Sequence, residues 1–79
     1  MPKLKAKQQQ KRRFARVWGN LDRTIGMLAA AYSDFQLAHA DLAQLIEIMA
    51  KQLLIVQAEV EDFWRSCWGE LPEDMSSWE

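Results

Sequence analysis

The chain has too little of several things on which small proteins commonly rely. A single cysteine, Cys67, excludes an intrachain disulfide, and a single histidine, His39, argues against a zinc cage built within one chain. Three glycines and two prolines leave little turn chemistry, which disfavours a β-sandwich or barrel. Pro2 and Pro72 stand near the two ends, and nothing between them forbids helix. No long apolar run is present. The richest stretch, Leu45 to Val56, is interrupted by Glu47, Lys51 and Gln52, so no transmembrane span is expected. No apolar segment follows the basic N-terminus, so no secretory signal is expected. The expected location is the cytoplasm, or a particle assembled there.

What remains is an apolar, charge-polarised chain. Hydrophobic residues make up 49% and charged residues 27% of its 79 positions, a composition too apolar for full disorder. A chain this short buries only about 60% of the surface that its unfolded form exposes, so a partner is the expected source of stability. Residues 1–16 carry Lys3, Lys5, Lys7, Lys11, Arg12, Arg13 and Arg16 with no acid, whereas residues 17–69 carry seven acids against three bases. Glu70, Glu73, Asp74 and Glu79 make the C-terminal segment acidic. The net charge of −1 thus conceals a basic head and an acidic tail.

Helix formers fill the chain from Leu21 onward, with Ala29-Ala30-Ala31 and Ala40-Asp41-Leu42-Ala43 among the strongest stretches. Trp18-Gly19-Asn20 is a candidate break, with Asn20 as an N-cap and Asp22 in the first turn. Gly69 followed by Pro72 is a stop signal. The expected organisation is a basic arm over 1–18, partly disordered or helical, a long amphipathic helix over 19–68 and an acidic tail over 69–79. A helix from 21 to 68 would be about 72 Å long, too long for a compact monomer. The alternative is an antiparallel helical hairpin, for which Ser33-Asp34 is the best turn candidate despite lacking glycine and proline.

The strongest pattern is a heptad. Steps alternating four and three from Phe14 meet Trp18, Leu21, Ile25, Leu28, Tyr32, Phe35, His39, Leu42, Ile46, Met49, Leu53, Val56, Val60, Phe63 and Cys67. Only His39 among these sixteen is not apolar or aromatic, where about half would be expected from composition. A sustained 3.5-residue period predicts a left-handed supercoil. The flanking e column reads Ala15, Asp22, Ala29, Gln36, Ala43, Ala50, Gln57, Trp64, and the g column is similarly poor in charge. Two-stranded coils usually place Glu and Lys there, so a wider bundle of three or more strands is expected. The predicted fold is therefore all-α, a single long helix in a parallel coiled-coil homo-oligomer whose core is the sixteen-residue seam.

Further apolar residues fall outside that seam. Leu45, Ile48 and Ile55 form a second stripe, and Trp64, Trp68 and Trp78 gather towards the C-terminus. Both groups are candidates for a surface that binds another protein, with helix-end packing the ordinary alternative for the tryptophans. His39 in the seam reads as a register-setting polar residue, as buried Asn does in coiled coils, ahead of a metal or pH-sensing role. Cys67 reads as a buried small hydrophobe near the bundle end, without a flanking base to activate it, with an interchain disulfide under oxidation as the alternative. The seven bases of residues 1–16 are candidate phosphate contacts, with an acidic protein, a membrane surface or plain solvation as alternatives.

No catalytic constellation, cofactor motif or metal-ligand spacing is present, and an enzyme is not expected. The sequence reads best as a structural or assembly protein, self-associating and connecting the components of a larger particle such as a virion. The alternatives are an oligomeric nucleic-acid-binding regulator or packaging factor that uses residues 1–16, and a helical protein-binding adaptor.

Overall fold

The computed structural model of the chain describes residues 2–72, with side chains over 7–72. Two helices account for nearly all of it: α1, Pro2–Gln36, and α2, Ala40–Trp68. They pack antiparallel as a slender hairpin measuring 56 × 19 × 19 Å. The described residues are all-α. The single uninterrupted helix expected over 19–68 is not present, and the hairpin is the arrangement that forms.

The N-terminal end of the expected helix moves, and its C-terminal end does not. Trp18-Gly19-Asn20 does not interrupt α1, and Asn20 caps nothing; its Oδ1 accepts a hydrogen bond from Arg23 Nη2 at 2.5 Å. The backbone of the basic arm is helical from Pro2, a residue suited to a first helical position because its missing N–H has no partner to lose. The stop at Gly69 stands where it was expected. Gly69 adopts φ +89°, a region that costs a residue without Cβ little, and its N–H donates to the Arg65 carbonyl at 3.0 Å.

The reversal occupies residues 37–39, four residues beyond Ser33-Asp34. The Phe35 carbonyl accepts from Ala38 N–H at 3.2 Å and from His39 N–H at 2.7 Å, and the His39 carbonyl accepts from Ala43 N–H at 2.9 Å. His39 leaves the helical region (φ −142°, ψ 73°) and becomes the N-cap of α2, without a capping hydrogen bond from its side chain. It is exposed. A core role for His39 is thereby replaced by a place in the turn. Among the described residues the turn contains no positive φ and no glycine. Nothing local to 37–39 compels a reversal, so the free energy that closes the hairpin comes from the packing between α1 and α2.

That packing centres on the e column. Ala15 and Trp64, both fully or nearly buried, form a cluster onto which Phe14, Trp18, Trp68 and Leu71 pack. One heptad inward, Gln57 Nε2 donates to Asp22 Oδ1 at 3.4 Å. Between these, Trp18 Nε1 donates to Glu61 Oε1 at 3.1 Å. Near the turn Ala43 is buried, whereas exposed Ala29 and half-buried Ala50, one heptad further in, line an open groove between the helices of about 440 Å³. The small e residues thus serve a purpose other than widening a bundle of separate chains. They let two helices of one chain approach closely, with alanine set against tryptophan at the free end.

Candidate interaction surface

Centring the hairpin on the e column pushes the seam to one side. On α1 the seam residues Phe14, Trp18, Leu21, Ile25, Leu28 and Tyr32 are half-buried, and Phe35 is exposed. On α2 Val60 is buried and Ile46 and Leu53 are half-buried. The other α2 column, stepping by sevens through Leu42, Met49, Val56 and Phe63, stays 41–45% exposed. Cys67, expected to be buried, is exposed, because it lies outside the Ala15–Trp64 cluster and lines an open groove. Alternate residues of the α2 seam therefore face α1 or face away from it.

The outward column is the middle of a wide apolar stripe. Leu45, Ile48 and Ile55 lie beside it, each more than half exposed. Gln52 and Glu59 are its main polar interruptions. Val17 and Phe35, about 40% exposed, extend it onto α1. At the free end the two helices meet along this face: the Phe14 and Phe63 rings stack with centroids 4.5 Å apart. An open groove of about 340 Å³ lies there, lined by Gln10, Arg13, Phe14, Phe63, Cys67 and Trp68. Isolated exposed apolar residues are ordinary, but a contiguous stripe along an entire helix is the mark of a surface that meets another surface.

The tryptophans divide. Trp64 is 2% exposed, and its indole N–H donates to the Glu70 carbonyl at 3.3 Å. Trp68 packs edge-on against Trp64 and Phe63. Neither is free to serve as an outward anchor, because the hairpin itself uses them to close its end. Trp78 lies outside the described residues. Of the expected partner surface, Leu45, Ile48 and Ile55 remain outward-facing, joined by Leu42, Met49, Val56 and Phe63 from the seam.

The basic residues occupy the end of α1 that runs alongside and beyond the end of α2. Lys11 Nζ sits 6.0 Å from the centroid of the Trp64 ring, a cation–π geometry that ties the arm to the buried cluster. Arg12, Arg13 and Arg16 are exposed, and with Gln9 they line an open cleft of about 290 Å³. Lys3 and Lys5 have no described side chains. The hairpin also brings the basic arm and the start of the acidic segment, Glu70, to the same end of the molecule. In a single long helix they would have lain at opposite ends.

Among the described residues no group of three or more His, Cys, Asp or Glu lies close enough to hold a metal ion, and no helix is long and apolar enough to cross a membrane. Comparisons with protein-family models, with curated proteins and with solved structures find no match to this chain.

Proposed function

We propose that this chain is a non-enzymatic assembly protein, a helical hairpin that self-associates through its unpartnered apolar face and connects components of a larger particle. The observation that carries the reading is the outward column of α2. Leu42, Met49, Val56 and Phe63 repeat every seven residues along the full helix, yet each stays 41–45% exposed, even Phe63, which stacks on Phe14 of α1. Leaving four large side chains nearly half exposed forgoes on the order of 1 kcal/mol each. A second helical surface recovers that stabilisation. Light scattering coupled to size exclusion tests it: the mass should rise with concentration from 9.2 kDa to a multiple of it. A mass that stays at one chain throughout the micromolar range would reject self-association.

A second reading rests on Arg12, Arg13 and Arg16, which share one open cleft of α1 with Gln9. We propose that this cleft tracks the phosphates of a nucleic acid, with self-association adding avidity. Binding of a duplex oligonucleotide should weaken steeply as salt rises. Reversing the charges in Arg12→Glu/Arg13→Glu/Arg16→Glu should lower the slope of log affinity against log salt by about three. Binding that ignores both salt and these substitutions would remove the nucleic acid from the account.

A further inference from the structure

The apolar face has one occupant that the rest of the molecule favours. We infer that it is covered by a second copy of the hairpin, turned end for end, in an antiparallel four-helix bundle. The inference rests on the self-association proposed above and specifies its stoichiometry and sense.

The face is already arranged in layers. The Phe14–Phe63 stack sets the register of α1 against α2 on this side. Moving seven residues inward on each helix carries that register to Leu21 with Val56, then to Leu28 with Met49 and Phe35 with Leu42. Each helix therefore presents two faces a heptad position apart. The e column meets the other helix of the same chain, and the seam column remains for a partner. Four helices with such paired faces close a bundle that covers the outward column Leu42, Met49, Val56 and Phe63 and the α1 residues beside it. A single hairpin has only half of that core.

The exposed area suffices. The chain exposes 6087 Å². A compact monomer of 9.2 kDa would expose about 4,900 Å². The excess, about 1,200 Å², is more than the roughly 800 Å² that one partner contributes to a standard interface.

Charge chooses the sense. The free-end half of the hairpin carries Lys7, Lys11, Arg12, Arg13, Arg16 and Arg65 against Glu59, Glu61, Asp62 and Glu70, six bases to four acids among the described residues, and exposed Asp34 and Asp41 flank the turn at the other end. A parallel pair would set one basic arm beside the other. An end-for-end pair sets each arm beside the acidic turn of its partner, and the apolar face between them carries little charge to oppose either sense.

The native thiol reports the arrangement. Cys67 is the only cysteine and is exposed, so a spin label on it gives one distance per dimer. It lies 13 residues from Leu54 at the middle of α2, about 20 Å along the axis, so the two labels should be about 40 Å apart in the antiparallel bundle and within about 20 Å in a parallel one. The 79-residue chain should sediment at twice 9.2 kDa. Met49→Glu/Val56→Glu should return it to 9.2 kDa with its helical circular dichroism intact, because both positions are exposed within one hairpin. A dimer with the short label distance, or a trimer or larger ring, would overturn this inference and leave self-association standing. A wild-type chain that sediments as a monomer would overturn both. A dimer whose mass ignores the double variant would show that a different face is used and would overturn the bundle.

Discussion

Trp64→Ala should be the most damaging single truncation in the hairpin, costing about 3–5 kcal/mol. For a chain of this length the whole stability is about 4–12 kcal/mol, so the loss takes a large share of it and unfolds much of the population at the lower end of that range. The side chain is the largest fully buried one among the described residues. It holds together parts of the chain that are far apart in sequence. Ala15 of α1 lies against it, Trp68 packs on it at a centroid distance of 4.8 Å, and Lys11 sits over its ring. Its N–H to the Glu70 carbonyl fastens the segment after Gly69, and Leu71 packs on the same cluster. Removing the indole opens a cavity between the helices and releases that segment together. Urea titration of the helical circular dichroism measures the loss. Trp64→Phe should recover most of it, because a ring still covers Ala15 while the hydrogen bond and part of the ring's volume are lost. A Trp64→Ala chain within about 1 kcal/mol of wild type would show that the cluster does not hold the hairpin closed.

Much of this architecture was legible in the sequence, and the part that was not has a physical reason. The apolar period identified helix and located the seam, because the spacing of buried positions depends only on helix geometry. The stop at Gly69 was legible because a residue without Cβ has a specific use at that backbone conformation. The reversal at 37–39 left no comparable trace. Leu37-Ala38-His39 contains no turn-forming residue, and its hydrogen bonds are all between backbone groups. The heptad also steps through the break without a stutter, from Phe35 to His39 to Leu42, so periodicity alone could not reveal it. The single clue was His39 itself. The one polar residue of the seam coincides with the one place where the seam is interrupted and exposed. The e column was ambiguous in a similar way. Alanine at 15, 29, 43 and 50 allows close approach of any helix, from the same chain or another, and only the aromatic residues at both ends of the chain distinguish the two. Phe14 and Trp18 near one end and Phe63, Trp64 and Trp68 near the other are large groups that one hairpin brings into a single cluster.

A pair of proline substitutions in α2 should have sharply different consequences. Ala40 is the first residue of α2, after the N-cap His39. The N–H groups of a helix's first turn have no intrahelical partner, so a proline there removes no helical hydrogen bond. Its ring also excludes the helical region for the preceding residue, and His39 is already outside it at ψ 73°. Ala40→Pro should therefore keep the helical signal and shift stability by less than about 1 kcal/mol, favourably if the stiffer unfolded chain dominates. Ala50→Pro places the same ring in the interior of α2, at a half-buried position facing the groove shared with Ala29. There it removes a helical hydrogen bond and collides with the carbonyl one turn earlier, at a cost of about 3 kcal/mol or more. It should lose much of its helicity and melt far below the wild type. The contrast follows from the turn alone. If one helix ran without interruption from 36 to 40, both prolines would fall in a helix interior, and both would be equally destructive. Circular dichroism melts of the two variants, recorded at matched concentration, separate these cases. Equal losses would contradict the reversal at 37–39, whereas an intact Ala40→Pro beside a collapsed Ala50→Pro is the signature of a hairpin.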